Sequence, residues 1–138
     1  MTQFIDPDRE TFGAFRALPD TGRIHMLNLV RFREQAAYPD GRKMTGAEAY
    51  AAYGNESGPI FRALGGRIVW SGDFRLMLIG PRDEHWDAVF IAEYPSAAAF
   101  VSMIKNPDYQ KAVLHRQAAV ADSRLIRLSP SEPGDHFG

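Results

Sequence analysis

WDAVFIAEYPSAAAFVSMIKNPDYQKAVLHRQAAVADSRLIRL, Trp86 to Leu128, reads as strand, helix, second helix and strand. Ala88 to Tyr94 carries Val89, Phe90 and Ile91 in a row. A run without polar alternation suits a strand covered on both faces. Pro95 ends it, because proline has no N–H to give to a ladder. Ser96 can cap a helix whose apolar positions, Phe100, Met103 and Ile104, fall at helical spacing. Asn106-Pro107 starts a second helix: Asn caps, and Pro fits a first position whose N–H would be unpaired anyway. Tyr109, Ala112 and Val113 continue its apolar side. Asp122 and Ser123 are expected to turn the chain into a last strand, Arg124 to Leu128.

Upstream, Ile24 to Phe32 reads as the first core strand, with Ile24, Met26, Asn28, Val30 and Phe32 on one face and His25, Leu27, Leu29 and Arg31 on the other. Both faces are apolar in the middle. One layer of helices covers only one face of a sheet, so a second cover is needed. In a chain this short the simplest cover is a second copy, and a homodimer is expected. Thr45-Gly46-Ala47-Glu48 matches a capping box and opens a helix through Tyr50, Tyr53 and Ser57. Gly58-Pro59 is expected to kink or interrupt it before Gly65-Gly66 stops it. Arg67 to Ser71 reads as a strand that continues, after Gly72-Asp73, through Phe74 to Ile79. Asp6-Pro7 opens a short N-terminal helix with Phe12, Phe15 and Leu18 on one side. The expected organisation is one domain, with a helical extension over residues 1–22, a core over 23–128 and a loosely held tail over 129–138. The element order is that of a split βαβ plan.

EYPSAAAFVSMIKNPDYQ followed by HRQAAVADSRLIRL resembles the family catalogued as domain of unknown function 1330. IHMLNLVRFRE and TGAEAYAAY extend the resemblance, so it spans most of Thr21 to Leu128. That family is similar to the dimeric α/β-barrel superfamily. The resemblance implies an α+β fold: a ferredoxin-like antiparallel sheet with helices on one face, paired with a second copy as a dimeric α/β barrel, here with an extra N-terminal helix. It implies no catalytic residues, because the family has no established activity. The superfamily includes small monooxygenases and a lactone isomerase, which keeps a cofactor-independent enzyme open by analogy alone.

Composition narrows the partners. The chain has 138 residues, 45% hydrophobic and 24% charged, which is ordinary globular composition. A net charge of −1 provides no basic field for nucleic acid. The absence of cysteine excludes disulfides, thiol catalysis and thiolate metal sites. MTQFIDPDRE has acids and no apolar core, so it does not read as a signal peptide. The apolar runs fall far short of the ~20 residues a membrane helix needs. A cytoplasmic protein without a membrane partner is expected. No GxSxG, HExxH, phosphate loop or GxGxxG is present, so no cofactor is expected.

A few residues could carry chemistry. Asn28 sits mid-strand among large apolar side chains, where an unpartnered amide is costly, and it is a candidate to line a pocket between sheet and helices. Tyr50 and Tyr53 lie at i and i+3 and could present hydroxyls to a ligand, though core packing with wet hydroxyl tips explains them equally. His115 is the candidate proton carrier, with Asn28 and Tyr53 orienting a substrate oxygen. Arg116 is the candidate clamp for an anion, although a cation near a helix C-terminus is favoured by the helix dipole anyway. Trp70 is assigned to ligand contact or to the sheet surface. Asp83, Glu84, His85 and Asp87 form an acidic loop cluster that reads as a solvated turn, and no metal site is expected. Three classes stay open: a binder of a small organic ligand, a cofactor-independent enzyme, and a structural dimer.

Overall fold

The computed structural model describes residues 3–138. The elements run α1 (Arg9–Ala17), β1 (Ile24–Phe32), α2 (Gly46–Ala63), β2 (Arg67–Gly72), β3 (Ala88–Tyr94), α3 (Ala97–Lys105), α4 (Pro107–Ala119) and β4 (Val120–Leu128). The four strands form one sheet in the order β2-β3-β1-β4, and every neighbouring pair is antiparallel. This is the ferredoxin-like arrangement, an α+β fold.

The helix signals lie in the local sequence. Thr45 and Glu48 close a reciprocal capping box at the start of α2. Ser96 caps α3 by accepting from the Ala99 N–H, and Asn106 caps α4 ahead of Pro107. Gly65, with φ +85°, turns the chain out of α2 in a conformation other residues rarely adopt.

Four readings change. Helix α1 is capped by Asp8, two residues later than Asp6, and Leu18 falls beyond its end, 54% exposed. Helix α2 runs unbroken through Pro59. The proline removes one donor, but Pro59 and Asn55 are both exposed, so water can take the orphaned carbonyl bond. No turn separates α4 from β4. The strand begins at Val120, and Asp122 and Ser123 are buried within it. Finally, Phe74 to Ile79 is not strand: the ladder between β2 and β3 ends at the pair Gly72–Val89, leaving Leu76, Leu78 and Ile79 exposed by 74%, 84% and 91%. The segment has strand patterning but finds no partner strand among the described residues.

Register assigns the faces. Met26, Asn28 and Val30 lie beside Ala92, Phe90 and Ala88 of β3 and beside Arg127, Leu125 and Ser123 of β4, on the helix side. Leu27 and Leu29 lie beside Ile91 and Val89 on the other side, with Ile126 and Trp70 in the same layer. No element among the described residues covers that second layer.

On the helix side the buried core is split in two. One cluster gathers Ile24, Met26, Ala92, Tyr94, Phe100, Met103 and Tyr109. The other gathers Val30, Tyr38, Ala49, Ala118, Ala119 and Val120. Along β1 the division falls between Met26 and Val30, at Asn28. Ile24→Ala, at a position 3% exposed, should destabilise by about 2–5 kcal/mol because it leaves a cavity. Thr45→Ala should cost about 1 kcal/mol because it removes only a cap. Urea unfolding of both variants measures the contrast.

Candidate functional site

Over the first core cluster the helices stand off the sheet and leave an open cavity of about 1470 Å³, bordered by Met26, Ala92, Tyr94 and Phe100. Its floor is the sheet at Asn28 and Phe90, its walls are α2 and α4, and residues 4–18 roof it. Four of the residues singled out from the sequence meet there: Asn28, Tyr50, Tyr53 and Arg116. His115 and Trp70 do not line it.

Asn28 donates from Nδ2 to the Met26 carbonyl at 3.0 Å. Its Oδ1 has no hydrogen-bond partner among the described residues. Tyr53, on α2, and Tyr109, on α4, join their hydroxyls at 2.7 Å. The ring of Tyr50 lies 5.5 Å from that of Tyr53. Burial pushes the Tyr50, Tyr94 and Tyr109 phenols above their ordinary range, because a phenolate would be poorly solvated here. These groups keep their protons and act as donors. Tyr109 is a missed member of the site. Its spacing marked it only as an apolar position of α4; its hydroxyl gains meaning from α2, a segment 56 residues away.

Arg116 stands at the cavity but is already engaged. Its guanidinium donates to the Ile5 carbonyl at 2.5 Å and to Ser123 Oγ at 3.4 Å. The whole N-terminal segment is sewn down in this way. Ser123 Oγ donates to the Phe4 carbonyl at 2.7 Å, and the Phe4 N–H donates to Asp122 at 2.9 Å. Arg127 donates to the carbonyls of Phe15 and Pro19, at 3.0 and 3.1 Å. Asp20 accepts from the Ala97 and Ala98 N–H groups at the start of α3. The anion clamp expected at Arg116 is instead a roof fastening.

His115 is held elsewhere. The Tyr38 hydroxyl lies 2.6 Å from Nδ1 and the Glu56 carboxylate 2.6 Å from Nε2. The imidazole thereby ties the loop after β1 to α2 and α4. Trp70 is 51% exposed on edge strand β2, opposite Ile91 on the uncovered face. In the acidic loop, Asp87 accepts from the Phe32 N–H at 2.7 Å and clasps the end of β1. No helix among the described residues is long and apolar enough to cross a membrane.

A four-stranded antiparallel sheet of this order, with a ligand-sized space beneath its helices, defines a ferredoxin-like α+β protein. The chain belongs to the family described as domain of unknown function (DUF1330), which matches residues 41–128. The match begins after β1, so the resemblance read at Ile24 to Glu34 lies outside it. A protein of unknown function from Rhodopseudomonas palustris is 68% identical, with a TM-score of 0.92 over 96% of this chain and 100% of that one. Its methylated form gives 68% identity and a TM-score of 0.94 over 98% and 100%. A protein of unknown function from Bacteroides fragilis, described as dimeric with a ferredoxin-like fold, is 8% identical, with a TM-score of 0.48 over 77% and 94%. No curated protein matches the chain.

The roof should be acid-labile. Hydrogen bonds from the Ala97 and Ala98 N–H groups lower the pKa of Asp20 below 3.8. At Asp122 burial is the largest influence and acts upward, but the bonds from Phe4, Arg124 and Ser123 together outweigh it, and its pKa is also lowered from 3.8. A carboxyl whose folded pKa is depressed stabilises fully above its unfolded value of about 3.9 and loses that contribution as pH falls through the folded value. Amide protection in residues 4–20, taken relative to intrinsic exchange at the same pH, should therefore fall below about pH 4 before protection at Met26 or Ala92 does. Asp122→Asn should weaken that pH dependence.

Proposed function

We propose that this chain is a homodimeric binding protein for a small organic molecule held between the sheet and its helices. The observation that carries the reading is the open space over the first core cluster. A cavity that takes in a polar amide and a hydroxyl pair, with aromatic walls, has the make-up of a ligand site: apolar surface with a few placed polar groups. A solid core would have favoured a purely structural dimer. The enzyme reading relied on His115 as proton carrier. With that imidazole engaged by Tyr38 and Glu56 and lying outside the cavity, binding is preferred.

The dimer rests on the second face of the sheet. Trp70, Ile126 and Leu128 are exposed there by 51%, 43% and 40%, beside half-buried Leu27, Leu29, Val89 and Ile91. A contiguous apolar layer of this kind marks an interaction surface. The near-neutral charge supports neither a nucleic-acid partner nor a membrane surface, in keeping with a cytoplasmic location.

Native mass spectrometry of the purified protein tests both parts. The expected species has twice the 15.4 kDa chain mass, carries a small-molecule adduct that denaturation releases, and falls to the single chain mass in the Ile126→Lys variant. A single-chain species of the wild-type protein at micromolar concentration would overturn the dimer. Absence of an adduct, together with no binding from a library of small organic molecules, would overturn the pocket reading.

A further inference from the structure

We propose that the cavity selects largely apolar or aromatic molecules that carry a carbonyl oxygen, and that this oxygen accepts the spare hydroxyl proton of the Tyr53–Tyr109 pair. The proposal rests on reading the cavity as a ligand site and specifies what that site takes.

The first argument is a count of protons. Two tyrosine hydroxyls 2.7 Å apart share one hydrogen bond, which uses one of their two protons. The second proton has no acceptor among the described residues. Both tyrosines line the cavity, Tyr53 half-buried and Tyr109 buried. An acceptor oxygen arriving from the cavity completes the pair. An O–H whose own oxygen already accepts a hydrogen bond is polarised and becomes a better donor. Tyr50 adds a second hydroxyl without a protein partner among the described residues. The Oδ1 of Asn28 is the complementary acceptor, suited to a hydroxyl on the same ligand.

The second argument concerns charge. Arg116 and Arg127 donate to neutral groups, the Ile5 carbonyl and Ser123 hydroxyl for one and the Phe15 and Pro19 carbonyls for the other, so both guanidiniums keep their positive charge beside the cavity. Arg62 is exposed along its lining, as are the acids Asp6 and Asp8. Positive charge near the phenols favours a ligand oxygen rich in electron density.

The aromatic walls set the rest of the ligand. Phe90, Phe15 and Phe61 join the tyrosines around the space, so a flat ring finds stacking and edge contacts.

The test uses two probes of similar size and ligand-observed NMR titration of the whole protein: acetophenone and ethylbenzene. Acetophenone should bind about tenfold more tightly than ethylbenzene, as one unshared hydrogen bond of about 1.4 kcal/mol requires. Tyr53→Phe should erase the advantage of acetophenone while leaving ethylbenzene unchanged. Tyr109→Phe serves as the second variant, and the wild-type series decides the matter if neither variant folds. Equal binding of acetophenone and ethylbenzene overturns the selectivity while the pocket reading stands. No binding by any probe overturns both.

Discussion

A side-chain amide in the middle of an inner strand cannot be packed on all sides by hydrocarbon without a penalty. Asn28 satisfies one of its donors on the Met26 carbonyl, two residues back in its own strand, and leaves Oδ1 open. Sealing that oxygen in the core would cost about 1–3 kcal/mol. The interior instead stays open beside Asn28. Ile24 and Met26 belong to one buried cluster and Val30 to the other, α2 and α4 pack along each other, and the cavity over the first cluster reaches the amide.

A gap of that size beside an edge strand needs a roof, and the N-terminal segment provides it. Helix α1 has no buried residue, so its own apolar surface holds it only weakly. Polar bonds from β4, α3 and α4 hold it instead. Strand β4 does double duty: it pairs with β1 through its backbone and anchors Phe4, Phe15 and Pro19 through Asp122, Ser123 and Arg127. Such fastenings are directional and few. They fix where the segment lies and let it open without unpacking the two cores.

The local sequence showed the helices clearly, because a cap is decided within three residues: Thr45 with Glu48, Ser96 with Ala99, Asn106 with Pro107. It failed where a distant partner decides. Asp122-Ser123 has turn chemistry, but contact with Phe4, more than a hundred residues away, keeps both within a strand. Phe74 to Ile79 has strand composition, yet a strand also needs a neighbour, and none stands beside it. The site was half legible. An amide among large apolar residues pointed to the cavity, and two tyrosines at i and i+3 pointed to its wall. The third tyrosine and the engagement of Arg116 depend on how α2, α4 and the N-terminus meet, which no periodicity encodes.

The uncovered face of the sheet shows the reverse pattern to the cavity, and the difference bears on what would cover it. Along β1 that face reads His25, Leu27, Leu29, Arg31, polar at both ends and apolar between. Its neighbours repeat the theme. Glu93 lies 2.8 Å from His25 and 2.9 Å from Arg67 at one end, and Arg124 pairs with Asp122 at 2.8 Å toward the other. Val89, Ile91 and Ile126 fill the middle. An apolar centre inside a rim of satisfied charges is the anatomy of a protein interface. It offers a small molecule little concavity and few unspent polar groups, both of which the opposite face provides. The proposed dimer and the proposed ligand would thus use opposite sides of one sheet.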